Sequence, residues 1–124
     1  MSFRVLLIDD NQSFLAALRE YVEQVGELTV VGTATSCPEA LQLLEQITPD
    51  LITVDISMPG MNGLELTARV RQQWPELRVI VLTLLDSALH REAALAAGAH
   101  AFVGKAAMQH ELIPAIRNVT ISDN

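Results

Sequence analysis

Four short, nearly unbroken apolar runs constrain this chain more than any other feature: VLLI at 5–8, LTVV at 28–31, LITV at 51–54 and VIVL at 79–82. A weaker fifth, AFV, occupies 101–103. Each is strand length and rich in β-branched residues. Continuous runs, unlike strict alternation, imply strands covered on both faces, as in a parallel sheet.

Helical patterns fill the gaps. Phe14, Leu15, Leu18, Val22 and Val25 recur at helical spacing, with Gly26 placed to stop that helix. Ser36-Cys37-Pro38-Glu39 reads as a capping box with proline in the first turn, opening a helix through Leu41, Leu44 and Ile47. Asn62-Gly63-Leu64-Glu65 is a second start of this kind, ended by Trp74-Pro75. Asp86-Ser87 precedes an alanine-rich helix to about Ala97, closed by Gly98. The last helix is predicted over roughly 109–119, with Pro114 bending it or delaying its start. Strand and helix alternate five times, which predicts a doubly wound α/β domain with right-handed crossovers. A chain of 124 residues holds one such domain, 1–124, with its core at about 4–119 and a polar tail at 120–124.

Composition narrows the function. Fifteen acidic residues against eight basic ones give a formal charge of −7, which argues against direct nucleic-acid binding. The N-terminal apolar run is too short for a secretory signal or a membrane span. The single cysteine, Cys37, permits no internal disulfide and reads as a small packed residue in a cytoplasmic protein. Lys105 is the only lysine.

Ligands of open parallel sheets sit beyond the carboxyl ends of the strands. Asp9 and Asp10 follow the first run, Asp55 the third, Thr83 the fourth and Lys105 the fifth. Three carboxylates held together repel one another unless a cation or protons intervene. No Cys or His accompanies them, so a hard divalent cation such as Mg²⁺ is favoured over zinc. A carboxylate can also attack phosphorus to give an aspartyl phosphate, a transfer that needs positive charge and donors around the phosphoryl oxygens. Lys105 and Thr83 would supply these. His90, His100 and His110 lie outside the set and read as ordinary surface residues.

The stretch Leu7-Ile8-Asp9-Asp10-Asn11, the run from Val54-Asp55-Ile56-Ser57-Met58-Pro59 to Gly63, the pair Leu82-Thr83, and Gly98-Ala99 leading to Phe102-Val103-Gly104-Lys105 resemble the bacterial response-regulator receiver family. The resemblance is to receivers that precede a helix-turn-helix output domain. It implies a flavodoxin-like (βα)5 fold with strand order 2-1-3-4-5. It makes Asp55 the phosphoacceptor, with Asp10, Asp55 and the Ser57 carbonyl on Mg²⁺ (or Mn²⁺) and Asp9 acting through a water. Thr83 and Lys105 would contact the phosphoryl group, and Phe102 would be the switch aromatic that turns inward when Thr83 moves. The implied partners are a sensor histidine kinase or phosphotransfer protein, and a second copy upon phosphorylation. No membrane partner is implied. Such a domain is not an enzyme beyond self-catalysed phosphotransfer and slow autodephosphorylation.

Leu84 and Ala106 depart from the family, which favours a small residue and a cis proline there. A cis bond before alanine would cost about 3 kcal/mol, so trans is predicted. Leu84 is predicted to lean over the phosphoryl pocket. The competing reading is a degenerate receiver that binds a protein partner without phosphorylation. A flavin carrier is disfavoured because Asp9 and Asp10 would repel its phosphate. An aspartate-nucleophile phosphatase is disfavoured because Ser57 stands where a second acid is wanted.

Overall fold

The computed structural model describes residues 2–121. In chain order the strands are β1 (Phe3–Ile8), β2 (Leu28–Ala34), β3 (Leu51–Val54), β4 (Arg78–Thr83) and β5 (Ala101–Gly104). The helices are α1 (Gln12–Glu23), α2 (Cys37–Leu44), α3 (Gly63–Gln73), α4 (Ala88–Ala97) and α5 (Met108–Ile121), with a 3₁₀ turn at Lys105–Ala107. All strand pairings are parallel and the order is 2-1-3-4-5, the flavodoxin-like arrangement expected.

The apolar runs are continuous because each strand feeds two cores. Leu6, Ile8, Ile52, Val54, Val79, Val81 and Phe102 face one side, packed with Ala40 and Leu44 of α2, Leu66 and Val70 of α3, and Ala94 of α4. Val5, Leu7, Leu51, Ile80, Leu82 and Val103 face the other, with Leu15, Leu18 and Val22 of α1 and Leu112 and Ile116 of α5. Thr53 alternates into this second side, fully buried, and its hydroxyl has no hydrogen-bond partner.

Side chains set the helix ends. Asn11 caps α1, accepting the Phe14 amide at 3.0 Å. Asn62 and Glu65 close a reciprocal capping box on α3, and Ser87 caps α4. Gly98 ends α4 at φ 109°, a left-handed conformation that glycine adopts without penalty. Cys37 is fully buried, as predicted, and its thiol donates to the Met61 carbonyl across 2.9 Å. Burial pushes that thiol up to about 11, which leaves it inert as a nucleophile.

Several boundaries differ from the sequence expectation. Helix α1 stops at Glu23, so Val25 and Gly26 fall beyond it, and α2 stops at Leu44, short of Ile47. Val25 and Ile47 still pack against the core from the following loops. The Ser36 box is half formed: Ser36 accepts the Glu39 amide, but the Glu39 carboxylate turns to the Thr35 amide and hydroxyl. Helix α5 begins at Met108 and carries Pro114 in its interior, so the late start does not occur. The proline leaves the carbonyl of the exposed His110 without its helical donor. Helix α5 also reaches Ile121, into the predicted tail, of which 122–124 lie outside the described residues.

Two polar residues join strands at the N-terminal edge of the sheet. Asp50 takes the Arg4 amide on its carboxylate, gives its own amide to the Arg4 carbonyl, and accepts the Arg78 amide on its carbonyl. His100 gives its amide to the Val79 carbonyl and accepts the Val79 amide on Nδ1 at 3.0 Å. His100 is therefore a half-buried link between β4 and β5, which corrects its reading as an ordinary surface residue.

Candidate functional site

Strands β1 and β3 are central neighbours, and Ile8 pairs with Val54 as the last register partners. The next residue of each is an aspartate, so Asp9 and Asp55 emerge side by side at the carboxyl edge, 2 % and 5 % exposed. Asp10 follows on the exposed side of the loop. Carboxylate oxygens of Asp9, Asp10 and Asp55 all lie within 4.8 Å of one another. Lys105, the first residue past β5, reaches across with Nζ 2.7 Å from Asp9 Oδ2 and 3.2 Å from Asp55 Oδ2.

The other oxygens of Asp9 and Asp55 are also held. Asp9 Oδ1 accepts the Asn11 amide at 2.9 Å, and Asp55 Oδ1 accepts the Ser57 amide at 3.1 Å. Thr83 ends β4, fully buried, and its Oγ1 accepts the Leu85 amide at 3.1 Å. Gly63, the first residue of α3, sits so close to the Asp55 carbonyl oxygen that a Cβ there would lie 2.1 Å from it. The helix thus closes directly over the backbone of the buried aspartate.

Burial pushes the Asp9 carboxyl above the usual carboxylate range, and Lys105 and the Asn11 amide only partly hold it down. Burial alone would lower Lys105, but its hydrogen bond to Asp9 and the charges of Asp55 and Asp9 carry it above the ordinary lysine value. One lysine among three carboxylates leaves a net charge near −2. Oxygen donors alone, clustered within 4.8 Å with an uncompensated charge, fit a hard divalent cation.

The family model of the response regulator receiver domain matches residues 5–117, from within β1 to Arg117 of α5. The chain belongs to the response regulator receiver family. Its function is accordingly that of a receiver in two-component signalling. The receiver is 32 % identical to the response regulator GacA of Pseudomonas viridiflava over 116 residues, covering 94 % of this chain and 54 % of the relative. It is 34 % identical over 110 residues to the Bacillus subtilis protein YhcZ, named an uncharacterized transcriptional regulatory protein, covering 89 % of this chain and 51 % of that one. It thus spans about half the length of these curated relatives. Among solved structures, the receiver domain of the response regulator NarL from Mycobacterium tuberculosis superposes with a TM-score of 0.85 at 31 % identity, covering 95 % of each chain. The response regulator domain of Thermotoga maritima CheB gives 0.86 at 29 % identity, covering 95 % of this chain and 96 % of that one.

The structure brings Asp9, Asp10, Asp55 and Lys105 together, with Ser57 bonded to Asp55. Thr83 closes β4 at the same edge, level with Gly104, the residue before Lys105. Phe102 is set apart, buried on β5 with the Arg91 guanidinium 4.8 Å from its ring centroid. No described peptide bond is cis, as predicted for Ala106. Leu84 corrects an expectation: at 72 % exposed it turns to solvent as the chain leaves β4, and forms no lid. Among the described residues no helix is long and apolar enough to cross a membrane.

Three residues gained roles beyond those the sequence assigns. Asn11 ties Asp9 to the start of α1, and Gly63 lets α3 close over Asp55. Phe14 presents its ring 4.1 Å from the Lys105 ammonium. An aromatic residue one helical turn after an acidic strand end was the only available signal for the last.

Proposed function

We propose that this receiver takes a phosphoryl group onto Asp55 from the phosphohistidine of a sensor kinase or phosphotransfer protein. The observation that carries this reading is the setting of one nearly buried carboxylate. Asp55 belongs to an acidic cluster that the only lysine touches, with Oδ1 fixed by the Ser57 amide and Oδ2 facing Lys105.

An Asp55 oxygen forms the new bond to phosphorus while the donor's P–N bond breaks, and the electron pair leaves with the imidazole. Mg²⁺, or Mn²⁺ in its place, held by Asp9, Asp10, Asp55 and the Ser57 carbonyl, would supply positive charge against the phosphoryl oxygens. Lys105 is within reach of the same oxygens, because it already touches Asp55. The Thr83 hydroxyl accepts the Leu85 amide and keeps its own proton free to donate to the phosphoryl group. Moving Thr83 towards that group would draw the β4–α4 loop with it through the Leu85 amide. Phe102, packed beneath Arg91 of α4, links that movement to β5. The output would be read by a cytoplasmic partner, a second copy or a DNA-binding module of a longer regulator.

Incubation with acetyl phosphate and Mg²⁺, followed by intact mass measurement, tests the reading. One phosphoryl adduct is expected, absent in Asp55→Asn and in the presence of a strong chelator. An adduct that persists in Asp55→Asn would overturn it. No adduct in the parent under any donor would leave phosphorylation-independent binding as the better account.

A further inference from the structure

The Lys105 ammonium has three N–H donors, and the carboxylates of Asp9 and Asp55 engage two directions. The lysine side chain is only 9 % exposed, so water is largely excluded from the third. What faces the ammonium there is the ring of Phe14, with Nζ 4.1 Å from the centroid, well inside the range of a cation–π contact.

We infer that Phe14 is a positioning residue for Lys105, holding the ammonium over the acidic cluster and steering it to the incoming phosphoryl oxygens. The inference rests on the reading of Asp55 as acceptor. Phe14 is placed for this by a closed circuit of contacts. Asp9 Oδ1 accepts the Asn11 amide, Asn11 Oδ1 accepts the Phe14 amide, the Phe14 ring covers Lys105, and Lys105 returns to Asp9 Oδ2. The same carboxylate that binds the lysine therefore orients the helix start that delivers its aromatic cover. The ring also packs against the α1–α5 core, which fixes its height.

The kind of contact matters as much as its presence. A third carboxylate would trap the ammonium, and a hydroxyl would demand one direction. An aromatic face attracts the charge without dictating where its N–H bonds point. Lys105 can thus pivot from the carboxylates to phosphoryl oxygens while remaining under the ring. A leucine would fill much of the same space and supply no such attraction.

Because Lys105 is the only lysine, ¹³C,¹⁵N-lysine labelling gives a single side-chain spin system to follow by NMR. In the parent the Lys105 Hε resonances should be displaced upfield by the ring current. Phe14→Leu should abolish the displacement, and Phe14→Tyr should keep it. With acetyl phosphate and Mg²⁺, Phe14→Leu should accept the phosphoryl group about fivefold more slowly, and Phe14→Tyr should recover the parent rate. Mg²⁺ affinity measured alone by calorimetry should stay within about twofold in both variants, a readout that general loss of structure would not spare. A parent rate in Phe14→Leu, failure of Phe14→Tyr to restore it, or an undisplaced lysine resonance in the parent would each overturn the inference. Absence of any adduct in the parent would count against the acceptor reading, and the lysine resonance would still decide where Phe14 lies.

Discussion

Gly63→Ala should injure the site from the backbone side. A Cβ at this position would stand 2.1 Å from the Asp55 carbonyl oxygen and 2.7 Å from its carbon, where ordinary contact starts at 3.4 Å. The obstacle is main chain on both sides, so no side-chain rotamer relieves it. The start of α3 and the end of β3 must separate by about 1.3 Å, the shortfall between 2.1 and 3.4 Å. Two effects oppose each other in stability. Alanine is favoured over glycine in a helix by up to about 1 kcal/mol, while overpacking of this kind costs about 1–3 kcal/mol. Overpacking should win, with a net loss of about 1 kcal/mol. The functional cost should be larger, because misplacing a reacting group by about 1 Å can cost on the order of 100-fold in rate. Asp55 would keep its carboxylate but lose its register with Asp9 and Lys105. Rates of adduct formation by intact mass, set beside thermal melts, separate the two effects. A variant that melts and reacts like the parent would refute the close approach of α3 to Asp55.

Other perturbations probe separate parts of the molecule. Leu85→Asn places a hydrogen-bonding side chain beside the site edge, where Leu85 is 39 % exposed. It should speed phosphate release a few-fold, about 1 kcal/mol, measured on purified phosphorylated protein. Thr53→Val replaces a buried hydroxyl that has no partner and should stabilise the fold by about 1 kcal/mol, raising Tm by roughly 4 °C. His100 is held below the ordinary histidine value first by burial and then by Arg71 and Arg78. The unfolded chain therefore binds a proton that the folded chain refuses, and stability should fall as pH drops below about 6.5 towards the folded-state value. His100→Asn, whose Oδ1 can accept the Val79 amide, should flatten that fall in denaturant titrations at pH 7.5 and 5.5. An unchanged pH dependence would remove His100 as its source.

Much of this architecture could be read from residue order. The apolar runs announced strands buried on both faces, and residues that follow four of the five runs meet at one edge, because a parallel sheet delivers all its carboxyl ends there. Asp9, Asp55 and Lys105 meet for that reason alone. What escaped depends on distances between elements. Nothing in helical periodicity distinguishes Phe14 as core filling from Phe14 as cover for an ammonium. Gly63 read as part of a helix start, whereas the reason for glycine is the carbonyl of Asp55, just past the end of β3. His100 looked like a surface histidine because its partner, Val79, is a backbone amide and leaves no trace in side-chain pattern. Leu84 was expected to lean inward, yet the chain has already left β4 and turns the side chain to solvent. Helix ends were read too long at Val25 and Ile47, since loop residues can pack on the core with helical spacing.

The Asp50 and His100 links at the far edge of the sheet bear on the chemistry at the near one. In a half-exposed sheet, sliding a strand by one residue exposes its apolar face, and that penalty guards the alignment. Here both faces are apolar, so a slid strand would still bury greasy side chains and the guard is weak. Polar groups that fit one partner only supply the missing discrimination. Asp50 meets Arg4 through both carboxylate and amide, and His100 meets Val79 through both ring and amide. Strand β3 is only four residues long, so an error at Asp50 would pass undiluted to Asp55. A single slip would carry that aspartate about 3.3 Å along the strand and turn its side chain to the opposite face. Asp50 thus works as the datum from which the position of Asp55 is measured.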